Sequence, residues 1–246
     1  VDDVKLKDCD GGCDLVKYCS DGCQNDHRDQ HEEECKKRLR DYDLFTQPDS
    51  SCFGECPICC LPQSIDVRKS TVMPCCSKYI CNGCVYANTK REFEAGLQQR
   101  CPFCREPAVK SRKEGDKRFM ESIKRNDPAA MSHMGYKRCN EGDYDTGLQY
   151  LMKAAALGHV LAHYSLSAMY RKGGGVEKDV KKAVYHWEEA AIGGHPEARH
   201  NLGYIEYENG RYERAKKHWI IAANLGDHDS LKNLRALYAK GHASKE

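Results

Sequence analysis

Ala183-Val184-Tyr185-His186-Trp187-Glu188-Glu189-Ala190-Ala191-Ile192-Gly193-Gly194 decides the architecture of the C-terminal half, because its landmarks return at fixed offsets. Aligned on Gly158, Gly194 and Gly226, the chain places Ala154-Ala155, Ala190-Ala191 and Ala222-Ala223 four and three residues earlier. Leu151, Trp187 and Trp219 stand seven residues before the same glycines. Met134, Leu166 and Leu202 each precede Gly142, Gly174 or Gly210 by eight residues. The spacing is 36 residues and then 32, the longer unit carrying Gly173-Gly174-Gly175-Val176-Glu177-Lys178-Asp179. Small residues let helices cross closely and large ones fill the space between crossings. A period of this size therefore predicts helix–turn–helix units stacked as a solenoid. Asn126-Asp127-Pro128 is a helix start with Asp127 as its cap, so the array is expected over residues 128–246, with a partial fourth unit from Leu231 to Gly241.

The repeat resembles the Sel-one-like repeat, a relative of the tetratricopeptide repeat. Its pattern is carried by Ala162-x₃-Leu166 with Tyr170, then Gly175-Val176-x₂-Asp179, Ala183, Trp187, Ala190-Ala191 and Gly194. The resemblance implies a scaffold or adaptor without chemistry of its own. A protein or peptide would bind the face made by successive first helices, around Tyr136, His163 and Tyr204, while most Tyr, Trp and Leu residues form inter-repeat core.

The other half is built on a different principle. Fifteen of sixteen cysteines lie in the first 104 residues, mostly in short-spaced pairs: Cys9/Cys13, Cys19/Cys23, Cys56/Cys59, Cys81/Cys84 and Cys101/Cys104, with His31 four residues before Cys35. Two thiolates so spaced reach one tetrahedral Zn²⁺ from a tight turn, and a structural site takes four ligands. A secreted disulfide framework is the alternative, disfavoured by the close pairing and the lack of a signal-like apolar stretch.

Cys9-x₃-Cys13, Tyr18-Cys19-x₃-Cys23-Gln24 and His31-x₃-Cys35 resemble the later part of a MYND finger. The resemblance implies one complete site from Cys9, Cys13, His31 and Cys35. It leaves Cys19 and Cys23 as a half site whose partners would precede Val1, so the chain reads as N-terminally truncated. Such fingers bind short proline-containing peptides, but an aromatic usual three residues before the histidine is Arg28 here. His27 is the one nearby candidate to complete the half site, with a solvated surface role as its ordinary reading.

Cys56-Pro57-Ile58-Cys59, Cys75-Cys76, Cys81-x₂-Cys84 and Cys101-Pro102-Phe103-Cys104, with a helix-forming stretch from Val85 to Leu97, resemble a RING finger. The resemblance implies a cross-brace, with Cys56, Cys59, Cys81 and Cys84 on one zinc and Cys75, Cys76, Cys101 and Cys104 on the other. Interlocked metals replace a core that so short a segment cannot bury. The usual histidine is replaced by Lys78, and adjacent Cys75 and Cys76 are awkward partners for one metal; three protein ligands are the alternative. Cys52 and Cys60 are spare thiols. A RING ligase holds a ubiquitin-conjugating enzyme and its charged ubiquitin in an attack-ready pose. The resemblance assigns that contact to Ile58, Leu97, Pro102 and Arg105, the arginine bridging enzyme and ubiquitin.

The expected fold class is thus small zinc-stabilised α+β fingers followed by an all-α helical-repeat solenoid. The divisions are 1–45 (partial MYND-type finger), 46–55 (linker), 56–107 (RING-type finger), 108–127 (charged helical linker) and 128–246 (repeats). This order resembles modular proteins of unicellular algae. Of three complete zinc sites and one half site, the three filled ones, one Cys₃His and two Cys₄, would take the formal charge of +2 to about −3, so a nucleic-acid partner is not expected. No run approaches the roughly 18 apolar residues of a membrane helix. Hydrolytic zinc needs an open position that these ligand sets lack. The chain is expected to be intracellular, cytoplasmic or nuclear. Its function is expected to be a zinc-dependent ubiquitin ligase whose repeats recruit substrate; the alternative is a non-catalytic adaptor.

Overall fold

A computed structural model describes Lys7–Asp8, Lys17–Tyr18 and residues 21–243, with side chains from residue 31 onward. Two compact units divide it, Val1–Gln47 and Pro48–Glu246. In the first, β1 (Lys7–Asp8) pairs antiparallel with β2 (Lys17–Tyr18), and a long helix α1 spans Asp21–Phe45. The charged stretch from Lys36 to Phe45 is only the last part of that helix.

The second unit opens with a small cysteine-rich module. Strands β3 (Ser70–Val72) and β4 (Tyr79–Cys81) pair antiparallel, Thr71 facing Ile80, and lead into α2 (Asn82–Glu94). Its interior is slight: Cys56, Ile80 and Cys101 are buried, with Met73, Val85 and the remaining thiols around them. A cluster so small cannot offset the chain entropy of about fifty residues without cross-links.

Helix α3 (Arg112–Lys124) joins this module to the repeats. Ser111 caps it by accepting the Glu114 N–H, and Arg118 reaches back to the Pro107 carbonyl at 2.7 Å. Seven helices follow: α4 (Pro128–Asn140), α5 (Tyr144–Ala156), α6 (Val160–Lys172), α7 (Val180–Ile192), α8 (Pro196–Glu208), α9 (Tyr212–Asn224) and α10 (His228–Ala239). Asp127 caps α4 as expected, accepting the N–H groups of Ala129 and Ala130, with Pro128 at the first helical position.

Packing follows the alternation of small and large residues. Ala154, Ala162 and Leu166 are fully shut from solvent and share a cluster with Met131, Leu151 and Met169; Trp219 packs with Ala215, Leu234 and Leu237. Helices α4 and α5 meet at Gly135 and Gly147, where an added Cβ on Gly147 would lie 2.4 Å from the Cys139 sulfur. Only glycine permits that crossing.

The module and the repeats lie against one another. Cys52 N–H donates to the Gly194 carbonyl at 3.0 Å, and the Phe53 ring lies 5.6 Å from that of His195. Val72 packs on the Phe119, Ala130 and Met134 cluster. Gly194 (φ +83°) has no room for a side chain, since a Cβ there would be 2.7 Å from the Ser50 carbonyl oxygen. The stretch read as linker is therefore packed chain where it passes Gly194 and His195.

Candidate metal centres

Three hairpin turns position six of the thiols and share one hydrogen-bond pattern, while Cys81 ends β4 and Cys84 lies in the first turn of α2. Cys56 N–H donates to Leu61 O and Cys60 N–H to Cys56 O; Cys101 and Arg105 repeat this with Glu106 O and Cys101 O. Met73 N–H to Lys78 O and Ser77 N–H to Met73 O form the third copy. The closing residue of each is left-handed: Cys60 (φ 56°), Ser77 (φ 54°) and Arg105 (φ 63°). In the third turn Met73 occupies the place of a first cysteine and Cys76 that of the second. Cys75, one residue before Cys76, takes over the missing ligand's role from inside the turn.

That geometry brings the eight thiols into two sets, Cys56, Cys59, Cys81 and Cys84, and Cys75, Cys76, Cys101 and Cys104, with the sulfurs of each set within 4.8 Å of one another. Cys59 and Cys81 sulfurs are 3.9 Å apart, Cys76 and Cys101 3.9 Å, and Cys75 and Cys104 3.3 Å. A tetrahedral ion with Zn–S bonds near 2.3 Å separates its sulfurs by about 3.8 Å. The donor sets fit zinc in number, softness and spacing. Adjacency of Cys75 and Cys76 proves no obstacle to bringing both into the set.

The electrostatics also call for a cation. Burial pushes the Cys56 thiol up, yet the N–H groups of Cys59, Cys81 and Ile58 hold it down at about 6. Cys84 in the same set is driven up to about 12, by burial and then by its thiol neighbours. Four thiolates cannot share so small a volume unless a dication joins them. Cys52 and Cys60 stand outside both sets.

Cys9, Cys13 and Cys19 lie outside the described residues, as do the side chains of Cys23 and His27. Of the expected set, His31 and Cys35 sit one turn apart on α1, half-buried and buried.

Beside the thiols, Ile58, Pro102 and Arg105 line one shallow groove of about 550 Å³ with Cys84, Ala87, Asn88 and Arg91. Leu97 is not among its walls. It follows the left-handed Gly96 (φ 66°) and donates its N–H to Glu92 O, closing α2 at Glu94 rather than at Leu97. Glu92 is the residue the sequence reading missed. Its carboxylate is shut from solvent and accepts from Arg100 N–H (2.9 Å), Asn88 Nδ2 (3.0 Å) and Arg105 Nη2 (2.6 Å). The Arg100 N–H, outweighing burial and aided by Arg105, holds this carboxylate below the usual range. Arg105, the residue assigned to bridging enzyme and ubiquitin, is fastened to α2 by Glu92 and Asn88.

On the repeats, Tyr136 and Tyr204 are exposed as expected. His163 is not a free surface group: its Nδ1 lies 3.0 Å from His186 Nδ1 and its Nε2 3.1 Å from the Ala155 carbonyl. The carbonyl requires the proton on Nε2, so His186 donates to His163 between the two rings.

Fold and thiol clusters together define a zinc-finger protein with a helical-repeat scaffold. Comparison with known families makes this specific. The Sel1 repeat model matches residues 128–159, 160–195 and 196–227, the helix pairs α4–α5, α6–α7 and α8–α9, and the MYND finger model matches residues 2–35. The chain thus carries a MYND finger at its N terminus and three Sel1 repeats. Among solved structures it is similar to a Sel1 repeat protein from Oxalobacter formigenes, with 28% identity, a TM-score of 0.49, and coverage of 64% of this chain and 63% of that one. It is also similar to c5321, a protective antigen of uropathogenic Escherichia coli with an SLR fold, at 21% identity and a TM-score of 0.50, covering 67% of this chain and 35% of that one. The chain spans less than two thirds of the length of either. No curated protein matches it. No helix among the described residues is long and apolar enough to cross a membrane.

Proposed function

We propose that this zinc-binding, protein-interacting repeat protein is a ubiquitin ligase, its RING-like module (residues 56–107) recruiting a ubiquitin-conjugating enzyme while the repeats hold the protein substrate. The observation that carries the reading is the groove in which Ile58, Pro102 and Arg105 meet beside both thiol sets. Ile58 is 41% exposed, enough apolar surface to anchor a partner. Zinc would hold the loops in place and take no chemical part. Rate acceleration would come from fixing the charged enzyme in a reactive pose. In this reading three zinc ions are held, by Cys56, Cys59, Cys81 and Cys84, by Cys75, Cys76, Cys101 and Cys104, and by Cys9, Cys13, His31 and Cys35, with Cys19 and Cys23 half a site. Reduced thiols suit an intracellular setting.

The test is discharge of ubiquitin from a panel of charged conjugating enzymes. Ile58→Ala should weaken enzyme binding about tenfold with zinc retained. Arg105→Gly should spare binding and slow discharge, glycine being suited to the left-handed backbone there. Cys81→Ser should abolish both. A zinc-loaded chain that discharges no enzyme, or silence of both groove substitutions, leaves the second reading, a non-catalytic adaptor. One observation favours that alternative: Arg105 is already engaged by Glu92 and Asn88.

A further inference from the structure

The seam between the cysteine-rich module and the first helices of the repeats holds a cleft of about 500 Å³ walled by Phe53, Tyr79, Tyr136, Leu161 and Tyr164. No lysine or arginine lines it, while Asp66 and Glu197 do. Asp66 is satisfied by its own neighbour, Arg68, through bonds of 2.8 and 3.0 Å. Glu197 is different. Its Oε2 is buried and accepts no hydrogen bond from any described residue. The nearest candidate, His195 Nδ1, is 3.2 Å away, but that nitrogen accepts the Ala198 N–H and so presents a lone pair. Burial keeps the His195 imidazole neutral, its pKa down at about 3, and raises that of Glu197. Glu197 stands in the first turn of α8 with its side chain a third exposed, and a carboxylate oxygen left without a hydrogen bond beside Phe53, Tyr136 and Tyr164 is suited to receiving a cation.

We infer that this cleft binds a lysine or arginine side chain presented by an extended segment of a partner protein, its charge meeting Glu197 and its aliphatic stem lying along Phe53, Tyr136 and Tyr164. A chain, rather than a free amine, is favoured by the cleft's continuation. A second cavity of about 490 Å³ shares Phe53, Val67, Ser70, Tyr79 and Leu161 with the first, so the seam is a trough with room for residues on either side of the cation. In that second part His159 Nδ1 is likewise buried without a partner, a polar atom available to peptide backbone. Lys78 at its rim is the one cation there and lies outside the cleft that holds Glu197.

The inference deepens the protein-interaction part of the proposed function and is independent of ubiquitin transfer, so discharge is measured in parallel. Short peptides with degenerate flanks and a central lysine, arginine, acetyl-lysine or norleucine are panned on the full, zinc-loaded chain. At least about tenfold preference for lysine or arginine is expected, erased by Glu197→Gln with discharge unchanged. Because Glu197 Oε2 takes no hydrogen bond and the residue's other stabilising role is the small one of a first-turn carboxylate, Glu197→Gln should change the melting temperature little; a marked fall would make the residue structural and overturn the site. Ser165→Arg, which sets a guanidinium of the chain's own in the cleft, should abolish the preference while preserving helical content. No preference for a cationic centre, or one that survives either substitution, rejects the inference. Equal binding of free butylamine and the peptides would also reject it, since the trough would then contribute nothing.

Discussion

Cys75 and Cys76 enter one sulfur set because their turn is a third copy of the turns at Cys56 and Cys101, with Met73 standing where a first cysteine would be. Sequence spacing revealed the pairs but could not reveal this, since the shared feature is a backbone hydrogen-bond pattern closed by left-handed Cys60, Ser77 and Arg105. Substitution separates ligands from bystanders. Cys75→Ser and Cys76→Ser should each remove one zinc per chain in elemental analysis, whereas Cys52→Ser and Cys60→Ser should remove none. Unchanged zinc after Cys75→Ser would mean a site with three protein ligands. Glu92 makes the second residue-scale case. It ties the turn at Arg105 to α2, and it escaped notice because an acidic residue in a charged helix ordinarily faces water. Glu92→Gln replaces a charged acceptor of four donors, Asn88, Arg91, Arg100 N–H and Arg105, by a neutral one. A loss of about 1–2 kcal/mol is expected, since bonds to ionised groups are the stronger ones. Thermal denaturation of the zinc-loaded chain measures it, and an unchanged melting curve would show the clamp to be slack.

Among the elements, the repeat helices were legible because each carries its own boundaries. Asp127, Asp143, Asp179 and Asp227 all cap helices, and positive-φ glycines such as Gly158 and Gly226 follow their ends. Helix α2 was less so. Its expected span of Val85–Leu97 follows apolar spacing, whereas the chain starts it at Asn82, directly after extended Cys81, and ends it before Gly96. The placing of Cys81 and Cys84 in one thiol set at one end and a glycine turn at the other outweigh side-chain periodicity. Asp227 shows what a cap contributes where helices also touch. It accepts the Ser230 N–H at 2.8 Å and faces His200 Nδ1 at 3.0 Å, joining α8 to α10. Burial would raise its carboxyl, but the bonds from His200 and Ser230 prevail and keep it below its ordinary value. A depressed folded-state value means that the stabilisation is complete above the unfolded carboxyl range and disappears as pH falls through the folded one. Asp227→Ala should cost about 1–2 kcal/mol at neutral pH, with the difference from wild type shrinking below about pH 4. A difference constant with pH would assign the loss to packing.

For the molecule as a whole, the division between metal-built and core-built halves was visible in where the cysteines lie, but their mutual packing was not. Contacts such as Phe53 on His195 and Val72 on the Phe119 cluster join residues far apart in sequence without any shared period. A sequence of independent beads would respond to chelation by losing the fingers and leaving the repeats unchanged. The structure leads to a different expectation. Removing zinc should unfold the module, since its few buried apolar residues cannot hold the loops alone. The repeats should keep most of their helical circular-dichroism signal, because α4 to α10 bury their own Ala, Leu and Trp faces without metal. Yet Ala130 and Met134 would lose the cover of Val72, and His195 that of Phe53, so the melting temperature of the repeats should fall. A loss of each 1 kcal/mol lowers it by roughly 2–4 °C at this size. Variants at the seam provide the control: Phe53→Ala should reproduce part of the shift with zinc still bound. If chelation leaves the melt of the repeats untouched, the two parts are coupled weakly and the trough between them is not held open by the fold. Should all helical signal vanish with the zinc, the repeats depend on the module far more than their own buried faces imply.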